Sequence, residues 1–327
     1  MNTPAAVEYR DRTAGLIVFG VLEILLGALF LLMVPLMLLS LAMAGRQTGV
    51  PPSPQVLIPA TGLYTLAGAI LIWLGIGSIL GRRWARALWV CLSGIGLGTG
   101  VMAIPFALYV FSDLPRTMAA SGQPPLPPAA ILVTQIVTAA FMLLFYIVIP
   151  GVLFLFYRSP HVKHTCETRD LKERWTDRCP LPVLALSLFT TFGGFGVLFL
   201  LAYRCVFPLF GILLTGAAGC IVILVVAGTM LYLGWGLYRL KIQAWRLLLA
   251  VIIVLTLSGA ITFWRTDLSA LYLTMGFDSQ TVAMTAQMSQ MTAFKWMGFV
   301  YVLPWLVWML LVRRCFPKAS PAAGGPA

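Results

Sequence analysis

The sequence is poor in the residues that soluble catalysis depends on. Only 10% of its 327 residues are charged, ten are acidic and two are histidines, His161 and His164. Soluble domains carry about 25% charged residues. With both imidazoles in one short stretch, general-base chemistry elsewhere in the chain has no histidine to use. No HExxH, GxxxxGK[ST] or GxSxG pattern occurs, which removes the usual metalloprotease, P-loop and hydrolase sites. Residues 1–13 mix Glu8 and Asp11 with Arg10 and Arg12, and the apolar run after them is too long for a signal-peptide core. That run reads as a retained first transmembrane helix, and the chain reads as a non-enzyme.

Hydrocarbon fills the rest. Apolar residues make up 60% of the chain and the mean hydropathy is +0.95. Eight apolar segments, at approximately 14–43, 57–80, 86–111, 130–157, 183–203, 209–238, 246–264 and 293–312, are each long enough for a crossing of roughly 20 residues. The expected fold is an all-α integral membrane protein of eight transmembrane helices. Its parts are a first four-helix membrane repeat (1–157), a cytosolic linker (158–182), a second four-helix repeat (183–315) and a disordered tail (316–327).

Charge placement orients it. With the N-terminus in the cytoplasm, only Arg46, Arg116, Arg204, Arg265 and Lys295 of the 22 basic residues fall outside. The net charge of +12 is then a positive-inside signature, with both termini cytoplasmic, rather than a nucleic-acid footprint.

The two halves echo each other. Gly27-Ala-Leu-Phe-Leu-Leu32 resembles Gly196-Val-Leu-Phe-Leu-Leu201. Ala67-Gly68 and Gly75-x-Gly77 match Ala227-Gly228 and Gly234-x-Gly236, and Asp113-Leu114 matches Asp267-Leu268. A constant shift of 154 residues then superposes Gly122 on Gly276 and Pro150 on Pro304. Four helices per repeat make the repeats parallel, related by an axis along the membrane normal. Between helices three and four of each repeat lie outer loops 113–129 and 267–292. The first contains QPPLPP, which favours extended polyproline. In the second, Met284, Met288 and Met291 fall on one helical face, as a packing stripe or as soft-metal thioethers.

Four groups of residues could carry chemistry. Glu23, about 14 Å into the first span, is placed near the bilayer midplane. A carboxylate there needs a proton or a partner, and Tyr64, Thr65, Tyr146 and Thr190 are candidate hydroxyls. Phe192 occupies the matching place in the second repeat. Gln135 in the fourth segment is the other intramembrane polar candidate. Gly94, Gly96, Gly98 and Gly100 give overlapping GxxxG spacings that favour close helix packing. In the linker, His161, His164, Cys166 and Cys179 form H-x2-H-x-C-x12-C, a weak match to a Cys2His2 zinc site, zinc being the only cofactor in view. The plain alternative is a charged connector, with Lys172, Arg174 and Arg178 near headgroups and Trp175 at the interface.

The segment Thr165-Cys166-Glu167, with Trp175-Thr176-Asp177-Arg178-Cys179-Pro180-Leu181-Pro182 and the G-x-G…R-x-W-A-R turn after the second helix, resembles families of bacterial polytopic membrane proteins with no assigned activity. The resemblance covers the linker and that turn, and implies a multi-pass protein of the bacterial cytoplasmic membrane. The leading expectation is a structural or interaction module whose partners are the lipid bilayer and a cytosolic protein at 158–182. The alternatives are a small-solute or proton-coupled transporter with a site between the repeats near Glu23, and the linker zinc site. Oligomeric state stays open.

Overall fold

The computed structural model describes residues 9–48, 54–120, 127–277, 282, 286 and 292–316. Seven of its helices are long and apolar enough to cross a membrane: Thr13–Met43, Leu57–Ile79, Arg83–Pro105, Ala129–Arg158, Leu181–Ala202, Gly216–Tyr238 and Ile242–Arg265. They make this an all-α, multi-pass membrane protein in contact with lipid. Many of their large apolar side chains face outward, as Leu25 and Val137 do at 61% exposure each, which hydrocarbon tolerates and water does not. The helices are α1 (Thr13–Thr48), α2 (Pro54–Ile79), α3 (Arg83–Ala120), α4 (Pro128–Leu143), α5 (Ile149–Arg158), α6 (Pro160–Arg169), α7 (Leu181–Leu198), α8 (Gly216–Tyr238), α9 (Ile242–Arg265), α10 (Leu268–Met275) and α11 (Thr292–Val312). A 21-residue helix, α11, thus occupies the eighth expected segment.

Helix α3 divides the bundle. Leu88 and Trp89 pack into a core with Leu16, Leu74, Tyr157, Val162 and Cys166. On its other side Ala87 and Cys91 join a second core with Val183, Leu184, Leu237, Trp245, Leu248 and Met309.

Glycines set the closest helix pairs. A Cβ on Gly20 or Gly27 would come within 2.7 or 2.8 Å of the carbonyl oxygen of Gly75 or Gly68, so α1 and α2 touch backbone to backbone. In the second half, Gly194 meets Ala227 and Gly234 meets Ser187 in the same way. These pairs correspond at a shift of 167 residues on α1/α7 and 159 on α2/α8. The turns that follow also correspond at 159. Gly81 and Leu240 both have positive φ, and Arg82 N–H bonds Gly77 as Lys241 N–H bonds Gly236. At the α1/α7 shift of 167 Glu23 falls on Thr190, two residues before the Phe192 that sequence matching selects.

Several boundaries differ from expectation. The third helix continues to Ala120, so the start of loop 113–129 is helical; most of QPPLPP, and Met284, Met288 and Met291, lie outside the described residues. The fourth segment holds a π-turn, Leu144–Val148. Pro150 has no N–H for the Tyr146 carbonyl, and Gly100 packs against that same oxygen. Residues 207–214 form a two-stranded hairpin, Phe207–Leu209 with Ile212–Leu214, where a helix was expected to begin. Its two turn residues, Phe210 and Gly211, both have positive φ, as a type I′ turn requires. Hydroxyls at four-residue intervals on α9 and just past its end receive it: Phe210 N–H and Gly211 N–H donate to Ser258 and Thr262, and Thr266 donates to the Gly211 carbonyl. A disulfide, Cys205–Cys220, closes the base of this hairpin. Near the C-terminus Phe316, expected in the tail, is buried against the second core.

Candidate functional site

The close approach of α1 and α2 brings Glu23 to Ser78. The last turn of α5 adds Tyr157. Tyr157 OH lies 2.8 Å from Glu23 Oε1 and 2.8 Å from Ser78 Oγ, and Ser78 Oγ lies 3.0 Å from Glu23 Oε2. Glu23 is 4% exposed, Ser78 and Tyr157 0%. The Trp89 ring is stacked on Tyr157 at 6.0 Å between centroids, and Phe19 and Phe156 cover its edges. The Trp89 Nε1–H is directed toward the same carboxyl but falls outside good hydrogen-bond geometry.

Counting donors favours a neutral Glu23 in this ring. Three oxygen–oxygen contacts need three hydrogens. The two hydroxyls supply two, and a protonated carboxyl supplies the third. With Glu23 neutral, each group donates once and accepts once, and the triangle closes.

Its position corrects the sequence estimate. Ser78 lies four residues, about 6 Å, before Arg82, and Tyr157 adjoins Arg158. Glu23 therefore sits level with the basic end of the bundle, because the first turns of α1 run past that end to meet α6. None of the four expected hydroxyls partners it. Thr65 and Thr190 bond their own helix backbones, to Thr61 and Leu186, while Tyr64 lies against Phe30 and Tyr146 is 39% exposed. Gln135 sits half-buried on α4, away from this ring.

The linker, expected as a charged connector, is folded around ion pairs. Asp170, 3% exposed, accepts from Arg174 Nε at 3.0 Å and Nη2 at 2.9 Å, with Arg82 at 3.7 Å and the Arg83 N–H at 3.4 Å. The Arg174 hydrogen bonds, ahead of its other neighbours, hold the Asp170 carboxyl below the usual range. Asp177 accepts from the Arg174 N–H and pairs with Arg83. Trp175 packs edge-on to Tyr238, whose hydroxyl donates to the Trp175 carbonyl. Leu171 stands out at 84% exposure.

The four proposed zinc ligands are not brought together. His161 Nδ1 accepts the Arg10 N–H at 3.3 Å and His164 stacks on Tyr9 at 4.4 Å, so the histidines grip the N-terminal segment. Cys166 is buried in the first core and Cys179 in the second. Burial pushes both thiols up to about 11, the reverse of what a thiolate ligand needs. Among the described residues no three His, Cys, Asp or Glu side chains cluster as a metal site would.

The glycine run divides in two. Gly96 and Gly100 pack on Pro150 and Tyr146. Gly94 and Gly98 instead face a cavity of about 540 Å³ between the halves, lined also by Phe154, Arg158, Trp305 and Trp308. Glu23 does not reach it. Sequence reasoning missed this cavity and the Cys205–Cys220 bond; the one available signal for the latter was a cysteine beside Arg204 in a loop expected to lie outside. The chain matches no protein-family profile, no curated protein and no solved structure.

Proposed function

We propose that this chain is a non-catalytic interaction module of a bacterial cytoplasmic membrane. It is built from two parallel four-helix repeats, with α11 as the eighth crossing and both termini in the cytoplasm. The observation that carries this reading is the sealed ring. A carboxyl that moves protons or binds solute must exchange with water, whereas Glu23 is enclosed by Tyr157, Ser78, Trp89 and Phe19 and joins three helices. The repeat is supported by the glycine contacts and turn hydrogen bonds that recur at fixed shifts. The orientation is supported by charge and by sulfur. Free Cys91, Cys166, Cys179 and Cys315 belong to the basic end, and the disulfide to the other, as reducing cytoplasm and oxidising exterior require. The exposed Leu171 and Trp175 on the folded linker are the side chains offered to a cytosolic protein.

Vesicles reconstituted with the purified protein and a trapped pH indicator test the reading. Under an imposed proton gradient, wild type and Glu23→Gln should both leak no faster than empty vesicles. A flux that Glu23→Gln abolishes would replace this reading with the proton-coupled one.

A further inference from the structure

We infer that the cavity between the halves holds one acyl chain of an anionic glycerophospholipid, with its phosphate on Arg158. The inference deepens the interaction-module reading, on which it rests, by naming a lipid partner.

The cavity, about 540 Å³, falls within the range of roughly 300–1,000 Å³ found for small-molecule pockets. From Val90 to Gly98 it follows nine residues of α3, about 12 Å of axial length. Its walls come from four helices that lie in or against the apolar layer, so hydrocarbon is the occupant at hand. Trp305 is fixed as one wall, stacked on Phe189 at 3.9 Å and set edge-on to Trp308 at 5.3 Å. Gly98 leaves the space open, since a Cβ there would meet nothing within 4 Å.

One end is charged. Arg158 is exposed at the basic end of α5, where headgroups lie, and its guanidinium rests 5.5 Å over the Phe154 ring. Among the described residues it forms no ion pair, unlike Arg82, Arg83 and Arg174. An apolar slot ending in an unpaired cation matches a chain ending in an anion. A second cavity, of about 430 Å³ on the other side of Trp305, has no charged lining residue and nothing to orient a headgroup.

Native mass spectrometry of the full chain in mild detergent, with equimolar phosphatidylglycerol and phosphatidylcholine of identical acyl chains, tests this. Wild type should retain phosphatidylglycerol about fivefold over phosphatidylcholine, whose choline offsets its phosphate charge, the contribution of one basic residue near an anionic headgroup. Arg158→Gln should bring that ratio to about one while still retaining lipid. Gly98→Phe should lose both lipids, and Gly196→Phe, on an open face away from the cavity, should behave as wild type. Equal retention of the two lipids by wild type would overturn the inference. So would undiminished retention by Gly98→Phe, or displacement of phosphatidylglycerol by equimolar palmitate. Should Gly98→Phe fail to fold, the Arg158→Gln ratio decides alone. Each failure leaves the proton-flux result for Glu23 standing, so the two readings fall separately.

Discussion

Removing the Tyr157 hydroxyl is the sharpest perturbation of the Glu23 ring. Tyr157→Phe keeps the ring stacked on Trp89 and deletes a group that takes part in two of the three contacts, each 2.8 Å. Interhelical hydrogen bonds in membranes average only about 0.6 kcal/mol, because the unfolded state in lipid also finds partners. The larger cost is the donor or acceptor left unpaired at a buried site, about 1–3 kcal/mol. The expected loss is therefore about 2 kcal/mol. Glu23→Gln should behave differently. Its carbonyl accepts from Ser78, its amide donates to Tyr157, and Tyr157 donates onward to Ser78, so the triangle survives with one spare N–H. That change should cost under about 1 kcal/mol.

Reversible unfolding in mixed detergent micelles, followed by tryptophan fluorescence, measures both, with Glu23→Gln/Tyr157→Phe completing a cycle. Groups in one ring should couple by about 0.5–3 kcal/mol. Difference infrared spectra of wild type and Glu23→Gln should contain a protonated-carboxyl band. An ionised Glu23 predicts another pattern: Gln would lose two charge-assisted bonds and cost as much as Tyr157→Phe, with no such band. Equal costs for the two single variants, or a Tyr157→Phe loss under about 0.5 kcal/mol, would refute the donor count.

Three further outcomes follow from the packing. Asp170, held below the usual carboxylate range by Arg174, stabilises the linker above the ordinary aspartate value and loses that contribution as pH falls through its lowered one; proteolysis of the linker should rise there, and Asp170→Asn should cost about 1–2 kcal/mol at neutral pH and remove the acid response. Cys205 and Cys220 are 15 residues apart, so reduction should lower stability by about 3 kcal/mol, and a membrane-impermeant reductant should suffice in right-side-out cells. Gly27→Leu should separate α1 from α2 and cost about 1–3 kcal/mol, whereas Gly196→Leu, with nothing within 4 Å of its Cβ, should be neutral; thermal unfolding in detergent compares them.

Long apolar runs made the seven spanning helices legible, because a 20-residue hydrocarbon segment has few other fates. Features that depend on which faces meet were not legible. Depth counted along α1 misplaced Glu23, since the helix begins in the linker layer instead of at the apolar boundary. The chemistry of His161 and Cys166 looked shared because they are five residues apart, yet helix α6 turns one toward Tyr9 and the other into the core. Gly94 and Gly96 are two residues apart on α3 and open onto different surroundings for the same reason. The hairpin at 207–214 was hidden by its own apolarity: FPLFGILL reads as the start of a span unless Gly211 is recognised as a turn.

Comparison of the halves bears on what the polar ring is for. At the shifts set by the glycine contacts, Glu23, Ser78 and Trp89 correspond to Thr190, Leu237 and Leu248, all buried. At those positions the second half has two leucines and Thr190, whose hydroxyl donates to the Leu186 carbonyl of its own helix. It pins its helices by other means near the same end: Ser187 donates to the Gly234 carbonyl at 2.7 Å, joining α7 to α8, and Trp245 Nε1–H donates to the Met309 carbonyl at 3.0 Å, joining α9 to α11. Each half has buried polar clasps between helices, made from different residues. A transport site on the axis between halves would draw on both and would be wet. The Glu23 ring draws on α1, α2 and α5 alone, and lies on the far side of Trp89 from the second core. That placement favours a clasp that fixes helix register, a use for which a neutral carboxyl is well suited.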